Sequence, residues 1–155
     1  MASKDIVTIG TSKARGINIS SPVGKDQENL REDVMLIQAV FLYIATGAGE
    51  ARGFLGSEIG NLPLVTGEMN APTILAIRNF QQKNLSKVLK VDGIIHPASY
   101  NHRVIKAGTQ HLMSISQLHM LCIYANVQRD DGPDYVAGLA KFEPRLARFL
   151  SLVCG

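Results

Sequence analysis

A short turn that runs directly into a helix occurs twice in this chain and constrains its fold more than any other feature. Val65-Thr66-Gly67 is followed six residues after the glycine by Thr73, and Val91-Asp92-Gly93 is followed six residues after its glycine by Ser99, an offset of 26 residues in both cases. In each copy the glycine can take the positive φ that the turn needs. Asn70 or His96 then stands where a helix cap is required, and the Thr or Ser hydroxyl falls in the first helical turn, within reach of free backbone groups. Such a motif builds structure and performs no chemistry.

Hydrophobic spacing supplies the helices that these turns need. Asn29 is placed to cap a first helix with Glu32 and Asp33 in its opening turn, and Val34, Ile37, Phe41 and Ile44 follow at helical spacing, so this helix is expected from about Leu30 to Ala45. Pro72 opens a second helix, Ala71 to about Lys83, with Ile74, Ile77 and Phe80 as its apolar stripe. His96-Pro97 opens a short third, Ala98 to Lys106. Gln38 and Gln81 fall beside the core stripes, where their amides can bond the loops and satisfy buried backbone groups. Beyond Gly108, the apolar residues from Leu112 to Tyr124 predict a further helix, and after the polar turn Arg129-Asp130-Asp131-Gly132-Pro133 two short ones are expected, Asp134 to Phe142 and Pro144 to Val153.

The fold class this predicts is all-α. With 155 residues the chain is one domain, or one domain with an extension. Residues 1–28, in which Ile6 to Ile9 and other β-branched residues follow no sustained period, are expected as an irregular, partly extended arm. Residues 29–106 form the helical bundle, and residues 107–155 a C-terminal helical extension whose apolar faces complete the bundle's core or dock on a partner. Between the first two helices, Gly47, Gly49, Gly53, Gly56 and Gly60 break the pattern, and a loop of that length is expected to be either mobile or part of a binding surface.

Composition excludes several classes of function. Apolar residues make up 46% of the chain and charged residues 19%, which suits a folded domain that shows little charge. The longest apolar stretch, Val34 to Ala45, is interrupted by Gln38 and falls well short of the roughly 20 residues a membrane span needs. No apolar run near Met1 reads as a signal peptide, so the product is expected to be cytoplasmic as synthesised. Cys122 and Cys154 have no zinc or redox spacing and are expected as reduced thiols. A net charge of +3 is too small for a nucleic-acid footprint, and Lys83, Lys87, Lys90, Arg103 and Lys106 surround turns rather than line one recognition helix.

Catalytic patterns are equally lacking. His96, His102, His111 and His119 show neither His-Glu-x-x-His nor His-x-His spacing. Gly10 to Gly16 superficially resembles a phosphate loop, but Ile17-Asn18 stands where Lys-Ser/Thr would hold phosphate and magnesium. Nothing pairs Glu50, Glu58 or Glu68 as the two carboxylates of a glycosidase, and no Gly-x-Ser-x-Gly occurs. No cofactor, no metal and no enzymatic activity are expected.

Taken in order, Asp33-Val34 with Ile37-Gln38, Val65-Thr66-Gly67 with Thr73, Ala76-Ile77-Arg78-Asn79-Phe80-Gln81, and Val91-Asp92-Gly93-Ile94-Ile95-His96-Pro97-Ala98-Ser99 resemble the peptidoglycan-binding domain family of small three-helix modules. The resemblance covers residues 28–106. Thr66 replaces the family's first aspartate, Asn70 and His96 replace its second glycines, and the glycine-bearing insertion follows helix one. The resemblance implies a three-helix bundle that anchors cargo to the glycan-peptide polymer of the bacterial wall without cutting it. Its expected partners are the glycan or stem peptide and a protein cargo or delivery apparatus, with no nucleic acid and no membrane. Reaching the wall without a signal peptide would take lysis, a phage-like tail or an injection machine. The alternatives are an intracellular adaptor that reuses the bundle for protein contacts and, less favoured, a small lytic enzyme. A ligand groove is expected where Asp92, Tyr100, Asn101 and Arg103 gather around the second turn, with Arg78 on helix two nearby. Together they offer an aromatic face for a sugar, an amide, and cations for peptide carboxylates. Asp92 has a rival role in bonding its own turn, and Tyr100 in anchoring the core.

Overall fold

The computed structural model describes residues 3–9, 12–45, 64–84, 93–96 and 135–154. Among them the architecture is predominantly helical: α1 (Arg31–Ala45), α2 (Ala71–Asn84), α3 (Tyr135–Phe142) and α4 (Pro144–Cys154), with strands β1 (Ser3–Ile9), β2 (Ser12–Asn18), β3 (Val23–Gly24) and β4 (Ile94–Ile95). The bounds of these helices agree with hydrophobic spacing to within a residue or two. The expected third helix and the helix over Leu112 to Tyr124 lie outside the described residues.

Helix α1 is buried almost all round. Val34, Ile37 and Phe41, the stripe that spacing marks, are fully covered, but so are Leu36, Ala39, Val40 and Tyr43. Residues two apart on a helix point to nearly opposite sides, and α1 has a neighbour on each. Phe41 meets Phe80 of α2 edge-on at 5.9 Å between ring centroids, while Tyr43 meets Phe142 of α3 at 5.6 Å. Val136 and Leu139 of α3 and Leu146 and Leu150 of α4 are buried as well. Helix α3 thus packs against α1 of the same chain, and α4 packs against α3.

The N-terminal segment departs from the expected irregular arm. β1 and β2 form an antiparallel hairpin in register from Ser3 opposite Asn18 to Ile9 opposite Ser12. The β-branched run from Ile6 to Ile9 favours a pleated strand even without alternation. The hairpin rests on the C-terminal helices, β2 against α3 and α4 and β1 against α4. Further along the chain, Val23 pairs with Ile95 and Gly24 with Ile94 in a second, two-stranded sheet that contacts α2. Val23 and Ile95 are both fully buried.

At the start of α1 the expected cap is corrected, while Glu32 and Asp33 stand in its first turn as expected. Leu30, not Asn29, provides the first helical carbonyl, accepting from the Val34 amide at 2.9 Å. Asn29 has φ 51°, a left-handed conformation that asparagine tolerates better than most residues, and its side chain braces the preceding turn. Its Oδ1 accepts from the Gly24 amide at 2.9 Å, and its Nδ2 donates to the carbonyls of Gly24 and Gln27 at 2.8 and 3.0 Å. Asp33 does more than complement the helix dipole. Its buried carboxylate accepts from the amides of Ser20 and Ser21 and from both of their hydroxyls, at 2.9–3.2 Å. These charge-assisted bonds hold the N-terminal segment to the helix.

Candidate functional site

Each of the two glycine turns is held by one buried glutamine, and these clasps organise the candidate site. Oε1 of Gln38, on α1, accepts from the amides of Thr66 and Gly67 at 2.9 and 3.0 Å. Its Nε2 donates to the Glu68 carbonyl at 2.9 Å and to Thr73 Oγ1 at 3.0 Å, with Thr66 Oγ1 more distant at 3.4 Å. Gln81, on α2, repeats the device: Oε1 accepts from the Gly93 amide at 2.8 Å and Nε2 donates to the Ile94 carbonyl at 2.7 Å. Both glutamines are buried, and the loop-bonding role that spacing assigns to them is the one they fill.

The turns have the conformation that the repeated motif requires. Gly67 has φ 81° and Gly93 φ 76°, values that residues with a Cβ rarely adopt. After the first turn, Asn70 caps α2, its Oδ1 accepting from the Thr73 amide at 3.0 Å and from Thr73 Oγ1 at 2.6 Å. The Thr73 hydroxyl therefore links the cap to Gln38 and lies fully buried between them. After the second turn, Ile94 and Ile95 enter the sheet with β3. Here Gly24 must lack a side chain, because a Cβ on it would lie 2.5 Å from the Gly93 carbonyl oxygen.

An arginine lies over each turn. A Cβ on Gly67 would stand 2.6 Å from Arg31 Cγ and 2.9 Å from Met35 Cγ; one on Gly93 would stand 3.2 Å from Arg78 Nε and 3.5 Å from Arg78 Cγ. Both arginines are exposed. Arg78, a residue of the expected groove, lies over the second turn. Asp92, Tyr100, Asn101 and Arg103 lie outside the described residues, as do His102, His111, His119, Cys122, Glu50 and Glu58. Arg31 and the Asp33–serine cluster are the additions that sequence spacing misses, since each partner is distant in the chain or reached only through the turn.

Elsewhere, Glu143 lies between α3 and α4. Its amide donates to the Leu139 carbonyl and its own carbonyl accepts from the Leu146 amide, both at 2.9 Å, so one residue ends α3 and starts α4. Its carboxylate takes the Arg145 guanidinium at 2.7 Å and the Arg145 amide at 3.3 Å. The guanidinium hydrogen bond holds the Glu143 carboxyl below its usual range. Among the described residues no group of three His, Cys, Asp or Glu side chains could hold a metal ion, and no helix is long and apolar enough to cross a membrane. No protein-family model, curated protein or solved structure matches the chain.

Proposed function

We propose that this chain is a non-catalytic module that binds the peptidoglycan of the bacterial cell wall and anchors a cargo or partner there, by way of a three-helix bundle over residues 29–106. The observation that carries the reading is the pair of glutamine-held glycine turns. Gln38 with Gly67 and Gln81 with Gly93 occupy the positions of the repeated motif by which the sequence resembles peptidoglycan-binding domains, and they give that motif a physical purpose. Binding without cleavage follows from a sequence that offers no paired carboxylates and no nucleophile with its base. The groove is assigned to Arg78, Asp92, Tyr100, Asn101 and Arg103, around the second turn, with delivery to the wall by a phage-like or injection apparatus.

Sedimentation with purified sacculi tests this. The protein should pellet with sacculi, release no soluble fragments and leave the turbidity of the suspension unchanged. Failure to pellet at any salt concentration refutes wall binding in favour of an adaptor; falling turbidity refutes the non-catalytic assignment.

A further inference from the structure

The two clasped turns share a feature that neither the core nor the turn motif requires. Arg31 lies with its stem along Gly67, and Arg78 with its stem along Gly93. Among the described residues neither guanidinium makes a hydrogen bond or an ion pair. An arginine stem laid on a glycine has already lost much of its rotamer freedom, so its charged fork is held in place before any ligand arrives. A planar guanidinium so placed suits a carboxylate, which it can take with two parallel N–H donors. With a net charge of only +3, the chain lacks the dense positive field that a polyphosphate or nucleic acid would select.

We propose that Arg31 and Arg78 are two equivalent carboxylate contacts, one on each clasped turn, that engage successive acidic groups of a peptide-bearing polymer. This rests on the wall-binding reading and extends it. It adds a contact on α1, outside the groove assigned above, and makes binding bivalent, so that two weak contacts reinforce one another along a repeating ligand.

The test uses sacculi before and after carbodiimide amidation of their carboxylates, and soluble poly-L-glutamate. The variants are Arg31→Met and Arg78→Met, which keep an apolar stem over each glycine. Each single variant should retain its melting temperature and weaken binding to both unamidated probes by about threefold, and the double variant by about tenfold, as expected for exposed ion pairs. Amidation of the sacculi should weaken the wild type to the level of the double variant. Independently of any variant, the arginine Nε resonances of the wild-type protein should shift on titration with poly-L-glutamate. Unshifted resonances, or variants that bind both probes as tightly as wild type, overturn the proposal. Sacculus binding that ignores amidation and both substitutions leaves wall binding intact and refutes the arginine pair. Poly-L-glutamate binding lost in the variants, from a protein that ignores sacculi, supports the pair and refutes the wall.

Discussion

Replacing Gln38 with leucine removes the first clasp while keeping a side chain of similar size in the same buried place. Five polar groups lose a partner, and their surroundings decide the cost. The Thr66 amide and the Glu68 carbonyl belong to exposed residues and can turn to water. Thr73 Oγ1 keeps its bond to Asn70, and Thr66 Oγ1 lies only at the edge of bonding distance. The Gly67 amide is different, because Gly67 is buried and has no other acceptor among the described bonds. A buried orphaned donor costs about 1–3 kcal/mol, and with partial loss of the remaining bonds the total is about 2–4 kcal/mol. Against a domain stability of about 5–15 kcal/mol this is a large fraction. In urea, with a slope of about 2 kcal/mol/M, the unfolding midpoint should fall by about 1–2 M with the slope unchanged. Gln81→Leu takes the acceptor from the buried Gly93 amide and one hydrogen bond from the Ile94 carbonyl, and should cost about 1–3 kcal/mol. A midpoint that moves by less than about 0.3 M for Gln38→Leu would refute the clasp as a stabilising device.

Two further tests address the ends of the fold. Asp33→Ala strands the buried amide and hydroxyl of Ser21 and should cost about 2–4 kcal/mol by urea denaturation; an unchanged midpoint would show that the serine cluster contributes nothing. Because Arg145 lowers the folded-state pKa of Glu143, that carboxylate contributes stability above its unfolded pKa and loses it as pH falls through the folded value. Glu143→Gln should therefore flatten the acid side of the stability profile by a small amount, Arg145 being well exposed, and an identical profile for the two proteins would contradict the assignment.

The parts of the fold that sequence made legible are those governed by local chemistry. Gln38 and Gln81 sit beside apolar stripes, Asn70 sits three residues before a threonine, and the turn glycines sit at fixed distances from helix starts, so each role follows from neighbours within one or two elements. The N-terminal hairpin was legible in a signal other than periodicity: a β-branched run ended by Gly10, with two residues between the strands. The union of Asp33 with Ser20 and Ser21 was not, because an aspartate in the first turn of a helix has an adequate local explanation and nothing nearby names its distant donors. The burial of α1 on both sides was hidden for a related reason. Apolar residues at Leu36, Val40 and Tyr43 widen the stripe, but only the return of α3 explains why. Of the candidate groove, Arg78 is placed by α2 and its turn, while Asp92, Tyr100, Asn101 and Arg103 lie beyond the described residues.

The seating of β1 and β2 on α3 and α4 has a consequence for the order in which the chain can fold. The strands are made before the helices that support them, so on the ribosome the hairpin has no platform until residues 135–154 have emerged. A two-stranded hairpin is marginal in water without such a platform, and its unpaired edges are open to other strands in the meantime. The clasp of Gln38 on Gly67 can close well before that, and the union of β3 with β4 soon after the second turn emerges. Closure of the hairpin against the C-terminal helices joins the most distant parts of the sequence and so carries the largest loop entropy. That step should set the pace of folding, making this chain slower to mature than its helical content alone would suggest.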